Sequence, residues 1–283
     1  MNYFCPLMPS KEHLIIIEAG KKQANYWKDL FTYRELFFFL AWRDVKVRYK
    51  QTVLGVAWGL IRPLLTLFVF SFVFGTMAGL STNAIPYPLI VCAGILPWNF
   101  FSSAFSEAGS SLVSNSNLMT KIYFPRLIIP SSTIIVSLLD FIIALGLMFI
   151  LMIYYGFSPS INIVFLPLLL LLLLVCSLGS GFWIAALNVK YRDFRYVIPF
   201  IVQLGLYLSP VGFKADIVPE KWRLLYYLNP MTGIIESFRW SLLGDIQPLY
   251  LPGFFISFGV SILLLLVGVH YFRKTERSFA DVI

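Results

Sequence analysis

Apolar residues run through this chain in long blocks, not in the alternation of a half-buried strand or the narrow stripe of a soluble helix. A membrane-crossing helix needs about 20 apolar residues. Blocks of that kind are predicted over residues 53–80, 88–108, 129–154, 163–187, 196–213 and 251–272. Polar or proline-bearing breaks separate them. Pro86 and Pro88 precede the second block, a tight hairpin at 156–162 with Pro159 separates the third from the fourth, and Lys190, Arg192, Asp193 and Arg195 crowd the loop before the fifth. The fold class predicted is all-α: a polytopic membrane protein with six transmembrane helices, a six-span domain over 53–272.

Three segments depart from the long apolar pattern. Residues 33–52 place Glu35, Arg43, Lys46 and Lys50 on one helical face and Phe38, Trp42, Val45 and Tyr49 on an adjacent apolar stripe. This predicts an amphipathic helix lying in the membrane interface, with Asp44 and Arg48 spaced to pair. Residues 109–128 are small and polar, then basic; 114–120 are expected to form a short rigid helix with Lys121 and Arg126 near its end. Residues 214–250 carry eight charged side chains, too many for a simple span. Two short apolar stretches there, 222–228 and 231–243, flank Asn229-Pro230 and predict external helices that dip back into the membrane.

Composition narrows the class. The chain is 59% hydrophobic and 13% charged, where a soluble domain carries about 25% charged residues. Its net charge of +8 comes from basic residues at the ends of apolar blocks, which disfavours nucleic-acid binding. With six spans, 18 of the 22 Lys and Arg residues fall on one side. The positive-inside rule makes that side cytoplasmic, together with both termini, including the extension at 1–32 and the tail at 273–283. The expected location is the cytoplasmic (inner) membrane.

No phosphate-cradling G-x-x-x-x-G-K-[ST] loop, H-E-x-x-H or G-x-S-x-G occurs. Cys5, Cys92 and Cys176, with His13 and His270, match no metal spacing. No catalytic residue, resident cofactor or metal site is predicted, and the chain is not expected to be an enzyme. Ionisable groups inside apolar blocks are the exceptions that carry information. Arg62 and Asp140 both fall at about 14–16 Å depth along their helices and could pair across a contact, or Arg62 could snorkel to headgroups. Glu107 is expected to be structural. Phe68 and Phe72 share one helix face, Phe70 and Phe74 another; aromatic rings so placed can stack on sugar rings or face lipid.

These residues converge on a family. The chain resembles the transmembrane subunit of ABC-2-type polysaccharide exporters, which serve O-antigen, capsule and teichoic acid. The resemblance is carried by Arg48-Tyr49-Lys50-Gln51-Thr52-Val53-Leu54-Gly55 with Trp58 and Pro63, and by Gly94-Ile95-Leu96-Pro97-Trp98-Asn99-Phe100-Phe101. Further matches are Lys121-Ile122-Tyr123-Phe124-Pro125-Arg126, Asn188-Val189-Lys190-Tyr191-Arg192-Asp193 and Tyr227-Leu228-Asn229-Pro230-Met231. It covers about residues 30–283.

The resemblance implies a homodimeric permease that moves a lipid-linked polysaccharide outward. It implies two separate ATP-binding-cassette ATPase subunits on the cytoplasmic side, which hold the ATP and Mg. Coupling to the ATPase would involve Glu35, Arg43 and Lys46 on the interface helix, and Ser114, Asn115, Asn117 and Lys121 in the 109–128 loop. The substrate path would include Trp58, Arg62, Phe68, Phe72, Trp98 and Tyr207; Trp222, Tyr226 and Pro230 would belong to the outer gate. The rival classes are an ion-coupled secondary transporter using Asp140, a membrane transferase, and an ABC permease of the same fold for a drug or lipid.

Overall fold

The computed structural model describes residues 26–50, 55–77, 85–244, 248–276 and 279, without the side chains of 55–60, 62 and 120. Every regular element in these residues is helical. The order is α1 (Tyr26–Thr32), α2 (Arg34–Lys50), α3 (Gly55–Phe70, continued by a π-helical turn Ser71–Met77), α4 (Tyr87–Ser114), α5 (Ser116–Lys121) and α6 (Ile128–Tyr154). Then follow α7 (Leu166–Lys190), led by a 3-10 turn at Ile161–Phe165, α8 (Phe194–Leu208), α9 (Glu220–Tyr226), α10 (Pro230–Leu243) and α11 (Leu251–Thr275).

Among the described residues, four helical stretches are long and apolar enough to cross a membrane: α4, α6, α7 with its 3-10 turn, and α11. Two more, Pro63–Met77 and Phe194–Leu208, are apolar but shorter. The expected blocks differ from the helices mainly at their ends. The second continues to Ser114, so residues 109–114 are helix, not loop. The fifth stops at Leu208, because Ser209-Pro210 cannot extend the hydrogen-bond ladder.

α4 is the axis of the bundle. It packs on α6, α7 and α10, and less extensively on α3 and α8. Small residues allow this: Ala93, Gly94, Ala104, Ala108 and Gly109 are all buried along it. α7 and α11 pack closely through Gly179 and Gly268; a Cβ on Gly268 would collide with the Gly179 carbonyl, and one on Gly179 would lie 2.6 Å from the Leu264 carbonyl carbon. Without a hydrophobic effect between helices in lipid, such backbone approach is the main source of packing energy.

α4 also fixes the two ends of the molecule. Its start lies against the α8–α9 connection, where Tyr87 donates its hydroxyl hydrogen to the Gly212 carbonyl. Its finish lies against α2, which packs on α6. The segment 222–243 is two helices as expected: α9 buries no side chain, while α10 is buried along most of its length.

Candidate functional site: the α2–α5 corner, an exposed aromatic face and the opposite end

The α2 and α5 elements meet at one corner. Asn115, between α4 and α5, is anchored by its own Nδ2 donating to the Ser111 carbonyl at 2.9 Å. Its Oδ1 accepts from Arg43 Nη2 of α2 at 2.9 Å. Arg43 also grips Asp44 at 2.7 Å. α2 is therefore tied to the α4–α5 junction by a charge-assisted hydrogen bond. Glu35 and Lys46 are exposed on α2, with the Lys46 ammonium 5.3 Å from the Trp42 ring centroid. Ser114, Asn117 and Lys121 are exposed at the same corner. Lys121 also lines a hollow of about 140 Å³ with Met119, Tyr123 and Arg126.

One turn beyond Arg43, the interface helix is bolted into the spans. Arg48 donates to Glu107 of α4 and pairs with Asp140 of α6, its Nη2 2.6 Å from Oδ2. Tyr49 donates its hydroxyl hydrogen to the other Asp140 oxygen, and Ser137 donates to Glu107 at 3.5 Å. This corrects one expectation: Asp44 takes its ion pair from Arg43, while Arg48 turns inward. Asp140, the candidate partner for Arg62, is met by Arg48 and Tyr49. The signal for Arg48 was present: two carboxylates inside spans need a cation, and Arg48 precedes the first span by a few residues.

The exposed surface of α2 mixes charged side chains with large aromatic ones. Leu40 and Ala41 are buried, whereas Phe38, Phe39 and Trp42 are more than half exposed. The helix is thus less cleanly two-sided than its charge pattern predicts, with aromatic groups outward as in an interface-bound helix.

Of the expected path residues, Trp58 and Arg62 lie outside the described side chains. Phe68 and Phe72 stack at 6.5 Å and 10° on α3 and are 71% and 53% exposed. Tyr207 is 65% exposed on α8. Trp98 is different: it is buried, and its ring fits where Gly205 lacks a side chain, since a Cβ there would lie 2.6 Å from Trp98 Cη2. Its edge closes a groove of about 560 Å³ between α4 and α8. Ile198, Val202 and Leu206 form the apolar part of that groove; Ser110, Asn188 and Arg195 make the part near α2 and α5 polar.

At the opposite end, Trp222 is exposed on α9 and Tyr226 is half-buried. Pro230 opens α10, where its missing N–H costs nothing. Asn229 caps that helix by accepting from the Met231 amide at 3.1 Å, and it donates to Ser209 at 2.9 Å. The side chain that sequence reasoning missed is Arg239. It is fully buried and donates to the carbonyls of Ile90, Phe213 and Val211 at 3.1, 2.8 and 2.7 Å, and to Glu236 at 3.0 Å. Glu236 in turn accepts from the Ala215 amide at 3.2 Å. One Glu-Arg pair at i, i+3 thus ties α10, the start of α4 and the turn after α8. A Glu-x-x-Arg inside an apolar stretch was the available clue.

The family model for the ABC-2 type transporter matches residues 35–243, which takes in α2 through α10. The chain belongs to that family: it is a multi-pass membrane permease subunit of an ABC-2 type exporter. It is similar to the O-antigen export system permease protein RfbA of Myxococcus xanthus, 28% identical over 262 residues, covering 90% of this chain and 98% of that one. RfbA of Klebsiella pneumoniae is 27% identical over 252 residues, covering 88% and 95%. The polysialic acid transport protein KpsM of Escherichia coli is 23% identical over 249 residues, covering 83% and 92%.

Proposed function

We propose that this chain is the membrane half of an ATP-driven exporter that carries a lipid-linked polysaccharide, O-antigen-like or capsular, outward across the cytoplasmic membrane. The observation that supports this most is the near end-to-end alignment with permeases whose names specify O-antigen export. The chain works as a homodimer with two ATP-binding-cassette ATPases, which hold the ATP and Mg and do the hydrolysis. α3 and α8 count as spans alongside α4, α6, α7 and α11, which puts both termini on the cytoplasmic side.

In this reading, the ATPases close and press on α2 and α5. The Arg43–Asn115 bond makes the two yield as one. Arg48 passes the displacement to α4 and α6. The exposed aromatic faces of α3 and α8 turn toward the second copy and flank the glycan. Flat ring faces suit a moving polymer because they hold sugar rings without fixed hydrogen bonds. Arg195 in the α4–α8 groove stands where the anchor's phosphate groups would enter, with the apolar part of the groove for its lipid tail. α9 and the head of α10 form the outer gate.

The test is reconstitution in vesicles with and without the ATPase subunits. Movement of lipid-linked glycan is expected only with both ATPase and ATP. Movement by this chain alone would overturn the reading.

A further inference from the structure

The chain's last described residues fold back onto the segment that follows α5. Glu276, just past the end of α11, accepts the backbone N–H of Arg126 at 2.8 Å through its carboxylate. Its backbone carbonyl accepts from Arg126 Nη1 at 2.5 Å. Tyr26, the first residue of α1, donates its hydroxyl hydrogen to the same carboxylate oxygen at 3.3 Å. Around this knot the rings close up. Phe279 is buried against Phe272 at 5.4 Å, the Arg126 guanidinium lies 5.9 Å from the Phe279 ring, and the Arg273 guanidinium lies 4.7 Å from Tyr26. Phe124, Leu127 and Ile128 are buried in the same cluster. The link between α5 and α6 is therefore pinned by the segment after α11, which Tyr26 of α1 in turn holds.

We propose that the C-terminal tail is a brace for α5, with Glu276 as the positioning residue that fixes the 122–127 link and so the attitude of α5. The proposal rests on the reading that α5 receives the ATPase's push. A short helix of six residues on an unpinned link would swing when pushed and pass little displacement to the spans. Pinned at Arg126 through a backbone amide, it has one attitude. The bond uses the Glu276 oxygen as an acceptor, not its charge. Burial holds this carboxyl above the usual carboxylate range, and glutamine at 276 would keep the same acceptor.

The experiment uses the assembled permease–ATPase complex in vesicles and reads two quantities. One is ATP hydrolysed per glycan exported. The other is the mobility of a nitroxide attached at Lys121→Cys. Glu276→Ala should raise ATP use per glycan at least about tenfold and sharpen the nitroxide spectrum, as expected for loss of a fixed positioning contact. Glu276→Gln should match the parent in both. Phe279→Ala, which removes only the tail's apolar anchor, gives a milder change in the same direction and serves if Glu276→Ala does not assemble. Parent-like coupling and mobility in the alanine variants would overturn the brace. So would Glu276→Gln failing as fully as alanine. Deleting 116–121 separates the two readings. Export that survives the deletion sinks the coupling role of α5, while nitroxide mobility in the tail variants that keep α5 still decides the brace. Export lost by deletion but normal in the tail variants sinks the brace alone.

Discussion

α4 and α8 are both apolar helices with an interior proline, Pro97 and Pro199, yet they live in opposite surroundings. α4 buries 18 of its 28 residues; α8 buries Ile198 alone out of 15. The difference lies in residue size, not apolarity. α4 interleaves buried Ala and Gly with its large buried side chains. α8 presents Tyr196, Phe200, Leu204, Tyr207 and Leu208 outward, spaced for one helix face. α3 does the same with Leu65, Phe68 and Phe72. In a protein that lipid surrounds, hydrophobicity marks where a chain can sit, and small residues mark where it is packed. The large-residue faces of α3 and α8 are left over for lipid, a second copy or cargo.

The sharpest way to break that contrast is to disturb the packed region. Arg239→Ala would strand Glu236 and three backbone carbonyls without their donor. Removing one partner of a buried pair costs about 3–5 kcal/mol, so thermal unfolding in detergent should show the largest loss of any single change here. Gly268→Val comes next. It forces α7 and α11 apart at the Gly179 carbonyl and should cost about 1–3 kcal/mol by overpacking, read in the same assay. Arg48→Ala leaves Glu107 and Asp140 facing each other without their cation. It should cost about 1–3 kcal/mol, and a double-mutant cycle with Asp140→Asn should return a non-zero coupling energy.

The exposed region should respond the other way. Tyr207→Ala and Phe68→Ala remove side chains that are mostly exposed. They should change stability by less than about 0.5 kcal/mol while lowering glycan export several-fold. An unfolding shift as large as that of Gly268→Val would mean α8 is not the open face described. The smallest effect concerns pH. Burial raises the Glu276 carboxyl above its ordinary range, and Arg126, Arg273 and the Tyr26 hydroxyl pull it part of the way back. A raised carboxyl stabilises the docked tail fully below the unfolded value, and that contribution is lost as pH rises through the folded one. Protease nicking of the tail should therefore quicken from the usual carboxylate range upward, and Glu276→Gln should flatten the trend.

Much of this architecture was readable from the chain. The long apolar blocks, a short helix near Lys121 and the pair of helices around Asn229-Pro230 follow from hydrophobic length and backbone chemistry. Phe68–Phe72 stacking follows from a spacing of four. Partner choice was harder to read. Asp44 and Arg48 are one helical turn apart, but Arg48 gains two carboxylates by turning inward, and nothing in local spacing reports what lies on α4 and α6. The slot that Gly205 on another helix makes for Trp98 could not be read from either residue alone. Glu276 and Arg239 act on backbone atoms of distant segments, and local spacing does not report which ones.

The account turns on α2 and α5 standing at the cytoplasmic end, where an ATPase can reach them. A single cysteine at Asn117 on the exposed side of α5, in a background with Cys5, Cys92 and Cys176 replaced, can be challenged with a membrane-impermeant maleimide. In intact cells it should stay unlabelled. In opened membranes it should label, and bound ATPase should protect it again. Labelling from outside intact cells would contradict the account.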